Sequence, residues 1–270
     1  MVQHMIVPVD GSDTSWRAVD TAVALGNRCD ASLKILEVVF AERDLRDAEA
    51  RVADRLEQHD TAGVTVTTMA RVAKSAAVAV TEVIDRHPDA LVVMASHGRG
   101  RSAALLGSVT EDLLQSTYGP ILVVGPRCAE NDFSGPIIVT VDGSESSEGV
   151  LPLAAAWGIE LRVDPWIVEV ADPDIATPAD VSESAYTARL ARQLSKDSGH
   201  AVHFEMLHGK HVHDEIADFA SSMNASLIVT STHGRTGVSR LVIGSTAAGF
   251  VHSASCPILL VRPPHLSPTD

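Results

Sequence analysis

Short apolar runs, rich in Val and Ile and without strict polar alternation, punctuate the first half of the chain. They fall at Ile6–Val9, Leu33–Val39, Val64–Met69, Leu91–Ala95 and Ile121–Val124. Runs of this kind suit strands buried on both faces of a parallel sheet. Between them the apolar positions take helical spacing, predicting helices over Ser15–Asn27, Glu42–Asp60, Ala76–Arg86 and Ser108–Ser116. The second half follows the same plan, its longest helix expected near Ala179–Lys196. Strands alternating with helices in this way predict an open, doubly wound α/β fold in each half. Each half would carry a five-stranded parallel sheet of order 3-2-1-4-5, with helices on both faces.

The halves are copies of one unit. MIVPVDGSDTS at Met5 pairs with IIVTVDGSESS at Ile137, and LVVMASHGRG at Leu91 with LIVTSTHGRT at Leu227. LLGSVT at Leu105 pairs with VIGSTA at Val242, and GPILVVGP at Gly119 with CPILLVRP at Cys256. Blocks repeated in one order mark a tandem duplication, which predicts domains over 1–128 and 135–265. The polar, turn-rich stretch Pro126–Pro136 reads as a short linker between them.

Composition narrows the class of partner. The chain has 270 residues, 45% of them hydrophobic and 21% charged, ample for two cores of ordinary globular type. Its 35 acidic against 21 basic residues give a net charge near −14. That balance argues against nucleic acid or an anionic membrane as the main partner, since both require a basic footprint. Three dispersed cysteines without a CxxC pair fit reduced thiols, and a chain that opens directly on a strand fits a cytoplasmic protein.

The repeated chemistry sits at strand ends. In open α/β sheets a ligand binds at the carboxyl ends of the strands where the strand order reverses. There the order 3-2-1-4-5 brings Asp10 and Asp142, after the first strands, opposite the HGR loops that follow the fourth. Gly107-Ser108 and Gly244-Ser245 open the next helices, with serine as the expected N-cap. A glycine-led helix N-terminus offers N–H groups and a favourable dipole to a phosphate.

VDGS at the first strand, [ST]HGR after the fourth, GS[VT] opening the last helix and a closing PIL[VL]V strand together resemble the universal stress proteins. The resemblance spans nearly all of both halves. Many members of that family bind ATP through G-x2-G-x9-G-[ST]. The second copy matches as Ser231, Gly234, nine residues and Gly244-Ser245, with only the first glycine replaced. The first copy has Ala95, Gly98, eight residues and Gly107-Ser108, one residue short. The resemblance implies Asp10 and Asp142 at the adenosine. It implies Gly98, Gly107, Ser108, Gly234, Gly244 and Ser245 at the phosphates, with Val9, Val141, Thr110 and Thr246 in reach. By this reading the second copy is the better phosphate site.

Other motifs weigh less. GRGRSA at Gly98–Ala103 matches a dinucleotide fingerprint, but it follows the fourth strand and its counterpart GRTGVS breaks the pattern. DGSDTS has a faint likeness to a pyrophosphate loop, although Ser12 and Ser144 are better read as helix starters. His208, His211 and His213 have the residue types of a metal site, but their spacing suits a solvated loop, and no metal site is assigned. No catalytic residue is assigned either, since no triad or general base is legible.

The expectation is a cytoplasmic, adenine-nucleotide-binding stress-response protein, holding ATP with or without Mg2+ and acting as a sensor or regulator. The alternatives are a dimerising scaffold of the same fold without nucleotide, and a slow ATPase. Because the family commonly dimerises through its last strand, the resemblance also implies pairing of Ile121–Val124 with Ile258–Val261, within the chain or in a homodimer. The regulatory protein partner is not identifiable from sequence.

Overall fold

The computed structural model describes residues 2–98, 106–117, 119–175, 180–233 and 243–262. The chain divides into two compact units, Val2–Pro126 and the remainder from Arg127.

In the first unit the strands are β1 (His4–Val9), β2 (Ser32–Val39), β3 (Val66–Val72), β4 (Leu91–Ala95) and β5 (Ile121–Val124). All pair in parallel, in the order β3-β2-β1-β4-β5. The helices are α1 (Asp13–Cys29), α2 (Leu45–Leu56), α3 (Ala76–Ile84) and α4 (Ser108–Ser116). The reversal of direction at β1 sends α1 and α2 to one face and α3 and α4 to the other. All five residues of β4 are buried, as a central strand with a helix layer on each face requires.

Two predicted boundaries move for tertiary reasons. The expected helix over Glu42–Asp60 becomes a 3-10 turn at Glu42–Asp44 followed by α2, which stops at Leu56. His59 then folds back to stack on Trp16 of α1, with ring centroids 4.9 Å apart. β3 runs on to Val72 because it zips against β2 as far as the pair Val39↔Val72. Arg71 is accommodated there because its guanidinium reaches Glu82 at 2.7 Å.

The second unit repeats the plan with β6 (Ile137–Thr140), β7 (Pro165–Ala171), β8 (His203–His208), β9 (Leu227–Ser231) and β10 (Ile258–Val261). Its parallel order is β8-β7-β6-β9-β10. The helices are α5 (Glu145–Glu148), α6 (Leu151–Leu161), α7 (Asp180–Ser198), α8 (Val212–Ser222) and α9 (Ser245–Ser253). Here the single first helix expected from the repeat is split. Pro152 lacks the N–H that would bond to Glu148, so the ladder stops there and restarts with Pro152 in a first turn, where none is needed. Both first helices end alike, on a left-handed residue: Asp30 (φ 54°) in one unit and Arg162 (φ 55°) in the other.

The expected linker is built into the second unit. Phe133 is fully buried there, at a strained positive φ of 56°. Asn131 holds it by accepting from Phe133 N–H (2.8 Å) and donating to the Ser226 carbonyl (2.9 Å). Ser226 in turn donates through Oγ to the Gly135 carbonyl at 2.7 Å. Gly135 must be glycine, since a Cβ would fall 2.0 Å from the carbonyl oxygen of Asn224. No disulfide joins the three cysteines, and burial pushes the Cys256 thiol up to about 12, with Cys128 adding to the shift.

Candidate functional site

β1 delivers Asp10 to the carboxyl edge of the first sheet, and a local turn then locks it. Gly11 takes a left-handed φ of 79°, which lets the chain double back. Asp10 Oδ1 accepts from Ser12 N–H at 3.0 Å and from Ser12 Oγ at 2.6 Å. Ser12 caps α1 by accepting from Ser15 N–H at 3.2 Å. Ser15 Oγ closes the ring, donating to the Ser12 carbonyl at 2.8 Å and accepting from Asp10 N–H at 3.3 Å. These contacts use two of the roughly four acceptor positions of the carboxylate.

The second unit builds the same turn. Asp142 Oδ1 accepts from Ser144 N–H (3.0 Å) and Ser144 Oγ (2.6 Å), Gly143 has φ 79°, and Ser147 Oγ accepts from Asp142 N–H (3.1 Å). The spacing D-G-S-x-x-S is therefore the full local recipe, and the helix-starting role of Ser12 and Ser144 is part of it.

The second repeated motif meets the first at close range. A Cβ on Gly98 would lie 2.0 Å from Asp10 Oδ2, so the HGR backbone lies against the carboxylate. His97 Nδ1 is 3.0 Å from Ser96 Oγ, and His233 Nδ1 is 3.0 Å from Thr232 Oγ1. Gly234 and most of both glycine loops, including GRGRSA beyond Gly98, lie outside the described residues.

Two expectations about the helix starts are corrected. The N-cap is the glycine, Gly107 (φ −75°, ψ 151°) or Gly244 (φ −62°, ψ 148°), and Ser108 and Ser245 are the first helical residues. The cause is a backbone bond that pins each glycine in an extended conformation: Gly107 N–H to Ser96 carbonyl (2.7 Å) and Gly244 N–H to Thr232 carbonyl (2.9 Å). The glycine N–H groups are thus spent on closing the loop, and the donors that remain for an anion belong to the residues after them. The helical ladders begin at Glu111 N–H to Gly107 and Ala248 N–H to Gly244, which leaves the first three N–H groups of α4 and α9 ahead of them. The one-residue difference in loop length does not disturb this closure, since the same bond forms in both copies.

In the first unit these pieces enclose a cavity of about 500 Å³. Val9, Asp10, Gly98, Gly107, Ser108 and Thr110 all line it. Pro8, Val38 and Met94 add an apolar wall, and Glu111 stands among the lining residues at the start of α4. A volume of this size, apolar with a few converging polar groups, is typical of small-molecule sites of roughly 300–1,000 Å³. Val38 and Glu111 were not singled out from sequence. Alternation along β2 could have found Val38, and the acid in the first turn of α4 could have found Glu111.

In the second unit Val141 is buried, Asp142 and Gly244 are half-buried, and Ser245 and Thr246 are exposed. Thr110 and Thr246 do not correspond: Thr110 is the third residue of α4 and is buried, whereas Thr246 is the second residue of α9. Tyr186, also unforeseen, donates to Glu148 Oε1 at 2.9 Å. Burial foremost, then the Glu148 hydrogen bond and the charges of Glu148, Glu169 and Asp142, hold its phenol above its ordinary value of 10.0. His211 and His213 flank the start of α8, and His213 packs on Gly249 of α9. Among the described residues no group of three or more His, Cys, Asp or Glu is arranged to hold a metal. No described helix is long and apolar enough to cross a membrane.

Comparison with known proteins gives one family. The family model described as "Universal stress protein family" matches residues 1–125 and again 134–262. A universal stress protein of Mycolicibacterium smegmatis is 27% identical over 293 aligned positions, covering 96% of this chain and 97% of that protein. One from Methanocaldococcus jannaschii is 30% identical over 140, covering 47% of this chain and 82% of its own length. Among solved structures, a universal stress protein from Archaeoglobus fulgidus superimposes with a TM-score of 0.69 at 19% identity, covering 96% of this chain and 98% of that one.

Proposed function

The chain belongs to the universal stress protein family, and we propose that it binds an adenine nucleotide, ATP with or without Mg2+, as a nucleotide-dependent sensor or regulator. The observation that carries this reading is the contact between the two repeated motifs. Gly98 lies so close to Asp10 that no side chain fits, and both border a cavity that ends at the start of a helix.

In this reading the nucleoside lies against Val9, Val38 and Met94, and Asp10 accepts hydrogen bonds from ribose hydroxyls or the base amino group. A carboxylate is suited to that end of the ligand and would repel the phosphates. Ser108 and Thr110, with the leading N–H groups of α4, face the phosphate end; Gly107 acts as a small spacer and not as a donor. Asp142, Val141, Gly244, Ser245 and Thr246 take the same roles in the second unit, with Gly234 as the counterpart of Gly98. The protein works in the cytoplasm and signals by nucleotide occupancy, with no catalytic residue required.

Mass spectrometry of small molecules released from freshly purified protein tests the proposal directly. An adenine nucleotide should be recovered, and isothermal titration of the stripped protein should restore it. Recovering none, with no heat on titration with ATP, ADP or AMP, would replace this reading with a scaffold of the same fold.

A further inference from the structure

Cys128 and Cys256 stand near opposite ends of the second unit's sequence, yet the fold brings them side by side. Both belong to the unit that begins at Arg127. The peptide joining Cys128 to Ala129 donates its N–H to the carbonyl of the peptide joining Ser255 to Cys256, at 2.8 Å. Each cysteine therefore flanks one of two hydrogen-bonded peptide groups. Such a pairing holds facing Cα atoms roughly 4.5–6.5 Å apart, inside the window of about 4.4–6.8 Å that a disulfide requires. Both side chains are buried, and they lie close enough that charge on Cys128 acts on Cys256. Their surroundings differ. Cys128 sits in a segment without helix or strand, where Arg127, Ala129 and Glu130 are exposed, and its thiol donates to the Ala129 carbonyl at 3.5 Å. Cys256 instead opens a wholly buried run, 256–260, that leads into β10. The Cys128 segment can open by a small local movement, whereas β10 cannot leave without unpairing from β9.

We infer that Cys128 and Cys256 form a redox-active thiol pair, which a hydroperoxide closes to a disulfide. Cys128, as its thiolate in the opened segment, attacks the terminal oxygen of the hydroperoxide. An S–O bond forms, the O–O bond breaks, and the alcohol or water leaves with the thiol proton. Cys128 is then a sulfenic acid, oxidised by two electrons. As the segment recloses, the Cys256 sulfur attacks that sulfur. The S–S bond forms, the S–O bond breaks, and the hydroxyl departs as water with the Cys256 proton. Two thiols have together reduced one peroxide bond. The roles follow burial, which keeps Cys256 in its protonated form and so makes it the resolving partner. Under reducing conditions the pair rests as two thiols, and intracellular disulfides of this kind are transient and redox-sensing. The bond would enclose residues 129–255, with β6 to β9, Asp142, Gly244 and Ser245 among them. Oxidation therefore ties the start of the second unit to its last strand and stabilises that unit against unfolding.

The test treats the purified full chain with hydrogen peroxide and reads the product by intact mass and by peptide mapping without reductant. The mass should fall by two hydrogens, a Cys128–Cys256 cross-linked peptide should appear, and dithiothreitol should reverse both changes. The thermal midpoint of the second unit should rise by about 5–15 °C on oxidation. Cys128→Ser should abolish that rise, whereas Cys29→Ser, in the first unit, should retain it. If Cys128→Ser does not fold, the wild-type peptide map decides by itself. Sulfinic or sulfonic acid at Cys128 without the cross-link would overturn the inference. So would a disulfide through Cys29, or a mixture of all three pairings. An unchanged mass, in a tube where added glutathione is fully oxidised, would overturn it as well.

Discussion

The turns Asp10–Ser15 and Asp142–Ser147 superimpose bond for bond, yet the helices they launch have little in common. In the first unit α1 runs unbroken, and Trp16, the residue after Ser15, carries its contact with the α2 segment. Trp16 is buried, stacked on His59 and overlaid by the Arg55 guanidinium 5.8 Å from the ring centroid. His59 Nδ1 also lies 2.5 Å from Asp20 Oδ1, and Arg55 pairs with Asp13. In the second unit the residue after Ser147 is Glu148, the helix stops there, and the contact with α7 is a hydrogen bond from Tyr186. An aromatic stack in one copy has been exchanged for a polar pair in the other. The turn tolerates this because its hydrogen bonds join residues no more than five apart, so helix packing behind it can change without moving the aspartate.

The sharpest way to break this comparison is to remove the aromatic. Trp16→Ala should destabilise the first unit by about 3–5 kcal/mol, the usual cost of deleting a buried tryptophan. Denaturant unfolding should then show the first unit melting ahead of the second. A loss below about 1 kcal/mol would mean that the stack is not what holds α1 to α2.

The aspartates come next. Asp142→Ala should lower ATP affinity by about 10- to 150-fold, the loss of one charge-assisted hydrogen bond of about 1.5–3 kcal/mol. Inorganic triphosphate should be little affected, because the carboxylate is assigned to the nucleoside end. Equal losses for both ligands in isothermal titration would reverse the assigned orientation.

A smaller effect tests the equivalence of the turns. Ser12→Ala and Ser144→Ala each remove an N-cap and the hydroxyl bond to the aspartate while keeping the backbone N–H bond, so each should cost about 1–2 kcal/mol. Chemical denaturation should return values for the pair that agree to within about 0.5 kcal/mol. A clear inequality would show that the helices behind the turns do influence them.

The smallest expected effect concerns Tyr186. Tyr186→Phe should cost about 1 kcal/mol near neutral pH, one hydrogen bond in a partly exposed setting. The pH dependence carries a sign. A phenol whose folded-state value is raised above 10.0 stabilises the fold fully below that pH, and the contribution is lost as pH rises beyond it. Thermal melts between pH 9 and about 12 should therefore decline more steeply in wild type than in Tyr186→Phe. Parallel declines would remove Tyr186 from the alkaline limb.

Much of the fold could be read before any coordinates. β4, β5 and α4 begin and end where the apolar runs and the Gly-Ser step put them, because a buried run bounded by turn residues leaves little freedom. The duplication was legible from repeated blocks, and the family from motifs spaced across both halves. The misses share one origin. The stop of α2 at Leu56, the burial of Phe133 and the glycine caps of α4 and α9 each depend on a partner distant in sequence: Trp16, Ser226 and Asn224, and the carbonyls of Ser96 and Thr232. The break at Pro152 is the exception, since proline inside a helical run announces itself, and the symmetry of the repeat masked it.

At the site, sequence alone determined which residues take part in the turn, because D-G-S-x-x-S closes through bonds spanning at most five residues and a left-handed glycine. Only the tertiary structure decided what that turn faces. Whether Gly98 rests on Asp10, whether the glycine N–H groups are spent on the strand ends, and whether Glu111 borders the cavity all follow from where β4 and α4 are packed beside β1. Those placements are set by the summed burial of many apolar side chains, a non-directional force that no short motif encodes.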